Sequence, residues 1–201
     1  MKGKFIVIEG LDGSGATSQI NLLVDYLNSK KIKTFYTKEP TDNIIGGLIR
    51  GVLTGVYHLP DESLQLLFSA DRGHHIQRVI KPILQKGQNV VCDRYIWSTI
   101  AFGSTTLDKK GLLGLQRYSL LPDLTIILKI KPEESLKRIK DNRFGFELFE
   151  EVKKLKKVWT TYEWLSMKYP KTIKVVNGEG TKKEISERII NEVNKFFKKS
   201  I

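Results

Sequence analysis

The chain has 201 residues, of which 40% are hydrophobic and 28% are charged, and these proportions suit one globular domain over residues 1–201. No stretch approaches the roughly 20 apolar residues that a membrane-spanning helix needs, so we expect no membrane partner. The first apolar run breaks at Glu9 without a small-residue cleavage site, which argues against a secretory signal. Cys92 is the one cysteine, so a disulfide framework is excluded and a cytoplasmic location is expected.

The charge balance favours an anionic partner. Lysine and arginine number 34 against 22 acidic residues, a net charge of +12, and such a surface attracts nucleotides and nucleic acids alike. Lysine pairs such as Lys153-Lys154 and Lys182-Lys183 have the spacing of solvent-facing helix surfaces. They are not interleaved with aromatic residues as in a single-strand-binding platform, so nucleic acid is the less favoured partner.

Short β-branched runs alternate with longer amphipathic runs, which predicts an α/β fold with a parallel sheet. The predicted strands are Phe5–Glu9, Lys33–Thr37, Asn89–Asp93, Leu124–Ile130 and Thr172–Val176. The predicted helices are Thr17–Ser29, Ile44–Leu53, one long or bent helix over Asp61–Gln85, one that opens at Pro132, and Lys183–Lys198. Between Lys140 and Glu147 the apolar face is lost, which indicates a surface loop.

A glycine-rich loop joins the first predicted strand to the first predicted helix, and it reads Gly10-Leu11-Asp12-Gly13-Ser14-Gly15-Ala16-Thr17. This context is that of a P-loop, in which backbone N–H groups and a helix N-terminus bind phosphate and the final hydroxyl binds Mg²⁺. Ala16 occupies the place of the motif's lysine, which bridges the β- and γ-phosphates. Nucleotide binding survives this loss, but phosphoryl transfer then needs another cation. The alternative is a glycine-rich turn without chemistry.

Several further short segments follow the glycine-rich loop, and their order and spacing together are specific. They are Thr37-Lys38-Glu39-Pro40, Leu67 to Arg72, Asp93-Arg94-Tyr95 with Ser98, Ala101 and Phe102, then Pro122-Asp123-Leu124, and Lys131 to Ile139. With the glycine-rich loop they resemble thymidylate kinase, a family of P-loop nucleoside monophosphate kinases, from Lys4 to the end of the chain. The resemblance implies Mg²⁺-assisted transfer of the γ-phosphoryl group of ATP to dTMP. It also implies a P-loop kinase fold with a five-stranded parallel sheet in the order 2-3-1-4-5, helices on both faces, and a homodimer.

The donor side of the site is assigned first. The ATP phosphates are assigned to the loop from Gly10 to Thr17 and to Ser18. Asp93 ends a buried strand, where parallel sheets place their ligands, and we assign it with Thr17 to Mg²⁺. Arg94 is assigned to the acceptor or the transferring phosphate, since phosphoryl transfer needs its charges neutralised. A structural Asp–Arg ion pair is the alternative for Asp93 and Arg94.

The contacts with the base of the acceptor nucleotide are assigned to a predicted helix. Phe68 and Arg72 are four residues apart and share a helix face, where a ring can stack on a pyrimidine and a guanidinium can donate to its O4. The alternative leaves Phe68 in the core and Arg72 in solvent. By the resemblance, Asp12 accepts from the sugar 3′-hydroxyl and Phe102 lies beneath the sugar. The other expected dTMP contacts are Lys38, Glu39, Pro40, Arg50, Arg94 and Ser98.

Residues of about 138–149 match the family's mobile lid, which closes over the phosphates. Arg143, as the first choice, and Arg138 are the lid cations expected to act in catalysis, together with Asp12 and Arg94. His74 and His75 point in different directions on a helix, and a loose transition state needs little from a strong base, so we give them no role. Two hypotheses remain: an active dTMP kinase in which lid or helix cations replace the lysine, and a catalytically silent nucleotide-binding protein, which Ala16 favours.

Overall fold

A computed structural model describes residues 2–140 and 148–198 of the chain. Its strands are β1 (Phe5–Gly10), β2 (Thr34–Lys38), β3 (Asn89–Asp93), β4 (Leu124–Lys129) and β5 (Ile173–Asn177). They form a five-stranded sheet in the order β2-β3-β1-β4-β5, and all four pairings are parallel. The predicted P-loop kinase topology is therefore confirmed. Since the strands are parallel, Gly10, Lys38 and Asp93 end at the same edge of the sheet.

Helices cover both faces of this sheet. Their bounds are α1 (Ala16–Ser29), α2 (Ile44–Leu53), α3 (Asp61–His75), α4 (Lys81–Gln85), α5 (Ile96–Gly103), α6 (Lys109–Leu115), α7 (Pro132–Lys140), α8 (Leu148–Lys168) and α9 (Lys182–Lys198). A π-helical turn over Ile76–Ile80 joins α3 to α4, so the predicted long helix is confirmed with a local widening. Across residues 2–140 and 148–198, no helix combines the length and the apolar character needed to cross a bilayer.

Alternation along β1 divides the core into two layers. Ile6 and Ile8 face a cluster that α1 and α9 complete with Leu23 and Ile189. The opposite cluster contains Phe5 and Val7 and is completed by apolar residues of α4, α5, α6, α7 and α8, among them Leu84, Ile100, Leu112, Leu136 and Val158. The central strands β1, β3 and β4 are therefore buried on both sides, which explains their continuous apolar runs, whereas the edge strands β2 and β5 keep exposed positions.

Three helices, α5, α6 and α8, escaped the sequence analysis, the first two for identifiable physical reasons. In α5 the residues Ile96, Trp97, Thr99, Ile100, Ala101 and Gly103 are all buried, so no polar face marks the helix. The short helix α6 contains Gly111 and Gly114, which lower helix propensity. It begins because the Asp108 side chain accepts a hydrogen bond from the Gly111 N–H at 2.7 Å.

Candidate active site

The glycine-rich loop has the strand–loop–helix setting that the sequence predicted. It leaves β1 at Gly10 and enters α1 at Ala16. Gly13 and Gly15 have φ angles of 74° and 83°, values that glycine adopts without strain. A Cβ at Gly13 would lie 2.7 Å from the Ser135 carbonyl oxygen, so α7 packs too closely for a side chain. The loop borders a cavity of about 510 Å³ that is lined by residues 11–18, Lys38, Arg50, Asp93 and Arg94, and we call it the P-loop cavity.

Two side-chain oxygens that could bind a metal ion, those of Thr17 and Asp93, lie together in the P-loop cavity. The Thr17 hydroxyl donates to Asp93 Oδ2 at 2.6 Å. Burial raises the pKa of Asp93, while the Thr17 hydrogen bond and the Arg94 charge act against that rise. A hydroxyl beside a partly desolvated carboxylate is a donor set that suits a small, hard divalent cation, so these two residues fit the predicted Mg²⁺ site.

Ala16 lines the P-loop cavity with a neutral methyl group that packs against the apolar layer between α1 and the sheet. The described cations at this cavity come from other elements. Lys38 Nζ lies 3.1 Å from Asp42 Oδ1, and Arg50 Nη1 donates to the Thr41 carbonyl at 2.6 Å. Both residues were predicted to bind dTMP, and both line the P-loop cavity.

Arg138 approaches the loop from α7. Its Nε donates to Glu134 Oε1 at 3.0 Å, and its Nη1 donates to the Gly13 carbonyl at 3.4 Å. The Ser135 hydroxyl, one turn earlier on α7, donates to the Asp12 carbonyl. Of the predicted lid, 138–149, only the parts in α7 and α8 fall within the described residues, and Arg143 lies outside them.

Arg94 stands at the centre of the site in a left-handed conformation, with φ of 63°. Its Nη1 donates to the Gly10 carbonyl and to Ser98 Oγ, each at 3.1 Å, and its Nη2 donates to Asp12 Oδ1 at 2.6 Å. Burial acts to lower the pKa of Arg94, but Asp12 and other anionic neighbours outweigh it and raise the pKa. The guanidinium carbon lies 5.1 Å from the centre of the Phe102 ring. Arg94 is therefore a fixed cation aimed at the site.

A second cavity, of about 280 Å³, lies between α3 and α5, and we call it the α3–α5 cavity. It is lined by most of the residues predicted to bind dTMP, namely Asp12, Glu39, Pro40, Phe68, Arg72, Arg94, Ser98 and Phe102. The P-loop cavity is also lined by Asp12, Glu39, Pro40, Leu53 and Arg94, so the two cavities share a wall that contains the Asp12–Arg94 ion pair.

Arg72 lies at the floor of the α3–α5 cavity and is only 1% exposed. Its Nε and Nη2 both bond Glu39 Oε2, at 2.9 and 2.8 Å, and Nη2 also donates to Thr99 Oγ1 at 3.0 Å. The other Glu39 oxygen lies 3.0 Å from His75 Nδ1. Phe68 and Arg72 therefore lie on one helix face, as predicted, and both line the α3–α5 cavity. His75, to which we gave no role, contacts the same Glu39 carboxylate that binds Arg72.

Two further polar residues were missed by the sequence analysis. Gln65 on α3 lines the α3–α5 cavity, and its spacing of three and seven residues from Phe68 and Arg72 is the signal that could have found it. Glu9 is fully buried at the end of β1. Its carboxylate accepts from the backbone N–H groups of Tyr95 and Ser98, at 3.0 and 3.1 Å.

The Glu9 carboxylate links β1 to two helices. It also accepts from the Ser98 hydroxyl on α5 and from the Tyr162 hydroxyl on α8 at 3.1 Å. Burial raises the pKa of Glu9 to about 7, while the Ser98 hydrogen bond and the Arg94 charge act to lower it. Glu9 therefore positions Ser98, a hydrogen-bond partner of Arg94.

Comparison with known proteins gives consistent results over nearly the whole chain. Residues 8–189 match the family model described as Thymidylate kinase. A protein named Probable thymidylate kinase from Methanocaldococcus jannaschii is 38% identical, over 96% of this chain and 95% of that protein. One of the same name from Thermococcus gammatolerans is 35% identical, over 95% and 96%. The Thymidylate kinase of Brachyspira hyodysenteriae is 36% identical, over 96% and 94%.

Proposed function

Because the chain belongs to the thymidylate kinase family, we propose that it transfers the γ-phosphoryl group of ATP to dTMP and forms dTDP. One observation carries this proposal: the two cavities share a wall that contains the Asp12–Arg94 ion pair. A donor phosphate in one cavity and an acceptor phosphate in the other would come together at this pair. Phosphoryl transfer depends on such positioning, with the reacting groups close, in line and electrostatically neutralised.

The donor is assigned to the P-loop cavity. Residues 10–18 surround the N-terminus of α1, where successive N–H groups and the helix dipole favour phosphate. Mg²⁺ is assigned to Thr17 and Asp93, and when bound it neutralises charge on the β- and γ-phosphates. A cation at this position also offsets the burial that raises the pKa of Asp93.

The acceptor is assigned to the α3–α5 cavity. Arg94 is proposed to bind the dTMP phosphate, while Phe68 stacks on thymine and Arg72 donates to its O4. Asp12 is proposed to accept from the sugar 3′-hydroxyl, and Phe102 to lie beneath the sugar. The volume of about 280 Å³ is close to the lower limit of about 300 Å³ for small-ligand pockets. Glu39, Pro40 and Ser98 complete the wall, with Lys38 and Arg50 on the phosphate side.

The missing lysine requires a replacement, and we assign this role to Arg138. Its guanidinium bonds the carbonyl of Gly13, a residue of the loop that is proposed to bind the phosphates. The i,i+4 ion pair with Glu134 holds the side chain toward the loop. Arg143 is proposed as a second lid cation. Charge that develops on the transferred group is then neutralised from α7 and not from the first turn of α1.

A second candidate function is a nucleotide-binding protein that catalyses no transfer. Ala16 is the observation that favours it, because a P-loop without its lysine keeps the backbone amides and the metal ligands but loses a cation that acts in the transition state. Both cavities would then bind nucleotides, but no product would form.

Steady-state dTDP formation from ATP, dTMP and Mg²⁺ distinguishes the two candidates. We expect the chain to turn over at roughly 1–100 s⁻¹, the usual range for kinases. Arg138→Ala should lower kcat by a factor on the order of 10²–10³, and Ala16→Lys should restore kcat in the Arg138→Ala background. Lys137→Ala removes a neighbouring charge from an exposed position of α7 and is the matched control.

Three other outcomes would revise the proposal. If Ala16→Lys alone raises kcat by a factor on the order of 10²–10³, Ala16 is an uncompensated loss. If Arg138→Ala leaves kcat unchanged in an active chain, another cation replaces the lysine. If neither the chain nor Ala16→Lys consumes ATP in the presence of dTMP, although calorimetry shows both nucleotides bound, the silent binder is correct.

We also propose that the protein acts in the cytoplasm as a homodimer. The single cysteine, Cys92, is buried and free, as suits a reducing compartment. Ile44 and Leu48 lie one turn apart on α2 and are 85% and 44% exposed, an apolar surface of the kind that subunit contacts cover. Light scattering on the chain and on Ile44→Glu tests this proposal, because the variant should be monomeric if α2 lies in the interface.

A further inference from the structure

A buried amide in the α3–α5 cavity has an unused acceptor. Gln65 is 6% exposed, and its Oε1 has no hydrogen-bond partner among the described residues. Leaving a buried acceptor unsatisfied costs about 1–3 kcal/mol, so such groups in a native structure call for an explanation. Because Gln65 lines the cavity proposed for the acceptor nucleotide, a donor on the ligand is the explanation that fits its position.

The space for this amide is provided from the opposite helix. A Cβ at Gly103 would lie 3.2 Å from the Gln65 side-chain amide carbon, so the absent side chain on α5 leaves room for the Gln65 amide. On its own helix, Gln65 precedes Phe68 by three residues and Arg72 by seven, which places all three on one face. A ligand that stacks on Phe68 and bonds Arg72 would also meet Gln65.

Building on the proposed function, we propose that Gln65 determines base specificity by accepting the N3–H of the acceptor's pyrimidine at its Oε1. In thymine the N3–H donor lies next to the O4 acceptor. When O4 receives a hydrogen bond from Arg72, the N3–H group therefore faces a side chain next to Arg72. The acceptors that surround the Arg72 guanidinium, on Glu39, Thr99 and Gln116, already receive its hydrogen bonds. Among the described side chains that line this cavity, Gln65 and Tyr95 each have a buried polar atom without a partner, and the Gln65 carbonyl oxygen is the one that can only accept.

This geometry selects one chemical class of substrate. Thymine and uracil carry a proton on N3, whereas cytosine has a lone pair there, which would face the lone pairs of Gln65 Oε1. A site built to bond a particular donor rejects analogues that lack it, because its own buried group is then left unpaired. The acceptor nucleotide is thus a keto pyrimidine monophosphate, and Gln65 gives no preference between thymine and uracil.

The proposed hydrogen bond between Gln65 and the N3–H group is tested by changing each partner in turn. dTMP and its N3-methyl derivative are titrated calorimetrically into the chain and into Gln65→Ala. The chain should bind dTMP at least tenfold more tightly than the methylated ligand, since one satisfied buried hydrogen bond changes affinity by about that factor. In Gln65→Ala, where the methyl group fits the vacated space, this preference should fall by about tenfold.

Gln19→Ala is the matched control. Gln19 is 2% exposed and its Oε1 also has no partner among the described residues, but it lies on α1 and its Nε2 donates to the Lys182 carbonyl. Its variant should keep the full preference for dTMP. If Gln65→Ala does not fold, Gln65→Asn retracts the amide by one methylene and should lower the preference by several fold.

The outcomes separate this inference from the proposed function. An unchanged preference in a Gln65 variant that still binds dTMP would overturn the role of Gln65 and leave the kinase proposal intact. A reduced preference in a chain that binds dTMP but makes no dTDP would support Gln65 and overturn the kinase proposal. If the unaltered chain does not bind dTMP, both fail.

Discussion

The P-loop cavity and the α3–α5 cavity are built in different ways. The first has one continuous wall, residues 11–18, that presents main-chain groups of a single loop, and its other walls include Lys38, Arg50, Asp93 and Arg94. The second is assembled from segments far apart in the sequence, and its central ion pair of Arg72 with Glu39 has side chains 1% and 2% exposed. Backbone amides are supplied by any residue, so the first cavity keeps its form with Ala16 in place of lysine. The second depends on particular side chains and on the partners that hold them.

Arg94→Ala should have the largest effect, because Arg94 belongs to both cavities. The change removes the cation at which donor and acceptor phosphates meet, and we expect kcat/KM for dTMP to fall by a factor on the order of 10³–10⁵, as for other arginines in phosphoryl transfer. Arg94→Lys keeps the charge but loses the forked donors and should recover only part of the loss. A defect confined to the affinity of one nucleotide would place Arg94 in one cavity alone.

Arg72→Met measures how strongly the α3–α5 cavity depends on its buried pair. The variant leaves the Glu39 carboxylate buried without its arginine, and the free energy of unfolding should fall by about 3–5 kcal/mol. Urea titration measures the loss, and Glu39→Gln added to Arg72→Met should recover part of it. ATP affinity should not change. A loss below about 1 kcal/mol would mean that the pair behaves as an exposed ion pair.

Glu9→Gln tests the buried carboxylate of β1 through the pH dependence of stability. The pKa of Glu9 is raised to about 7 from its usual 4.5, so folding favours the protonated acid, and stability is lost as pH rises from about 4.5 to 7. The glutamine variant lacks this titration. Relative to the unaltered chain, it should therefore gain about 2 kcal/mol between pH 5 and pH 8. Urea unfolding at several pH values measures the difference, and a constant difference would show that Glu9 does not titrate in this range.

The sequence was most informative where structure is local. The strand, the glycine-rich loop and the helix from Phe5 to Ser29 are contiguous, and their apolar pattern and glycine spacing predict them without knowledge of the rest of the chain. The strand order and most of the α3–α5 cavity followed from the resemblance, which adds long-range information that composition and periodicity lack.

What escaped prediction depends on contacts between distant segments. Gln65 could be placed on the helix face of Phe68 and Arg72, but its unpartnered oxygen depends on the space at Gly103. His75 gains its role from Glu39, at the end of a strand that the sequence does not pair with α3. The assignments to Arg143, to the lid and to a single domain stay predictions.

The segment 141–147 is bracketed by two attachments to the P-loop. On α7, Ser135 donates to the Asp12 carbonyl, and on α8, Tyr162 donates to Glu9. Each attachment lies inside its own helix, so neither depends on the length or composition of the segment between them. Insertions, deletions or grafted sequences at 141–147 should leave the loop and its neighbouring carboxylate in place. Sequence changes confined to 141–147 should therefore preserve the residues that line the P-loop cavity.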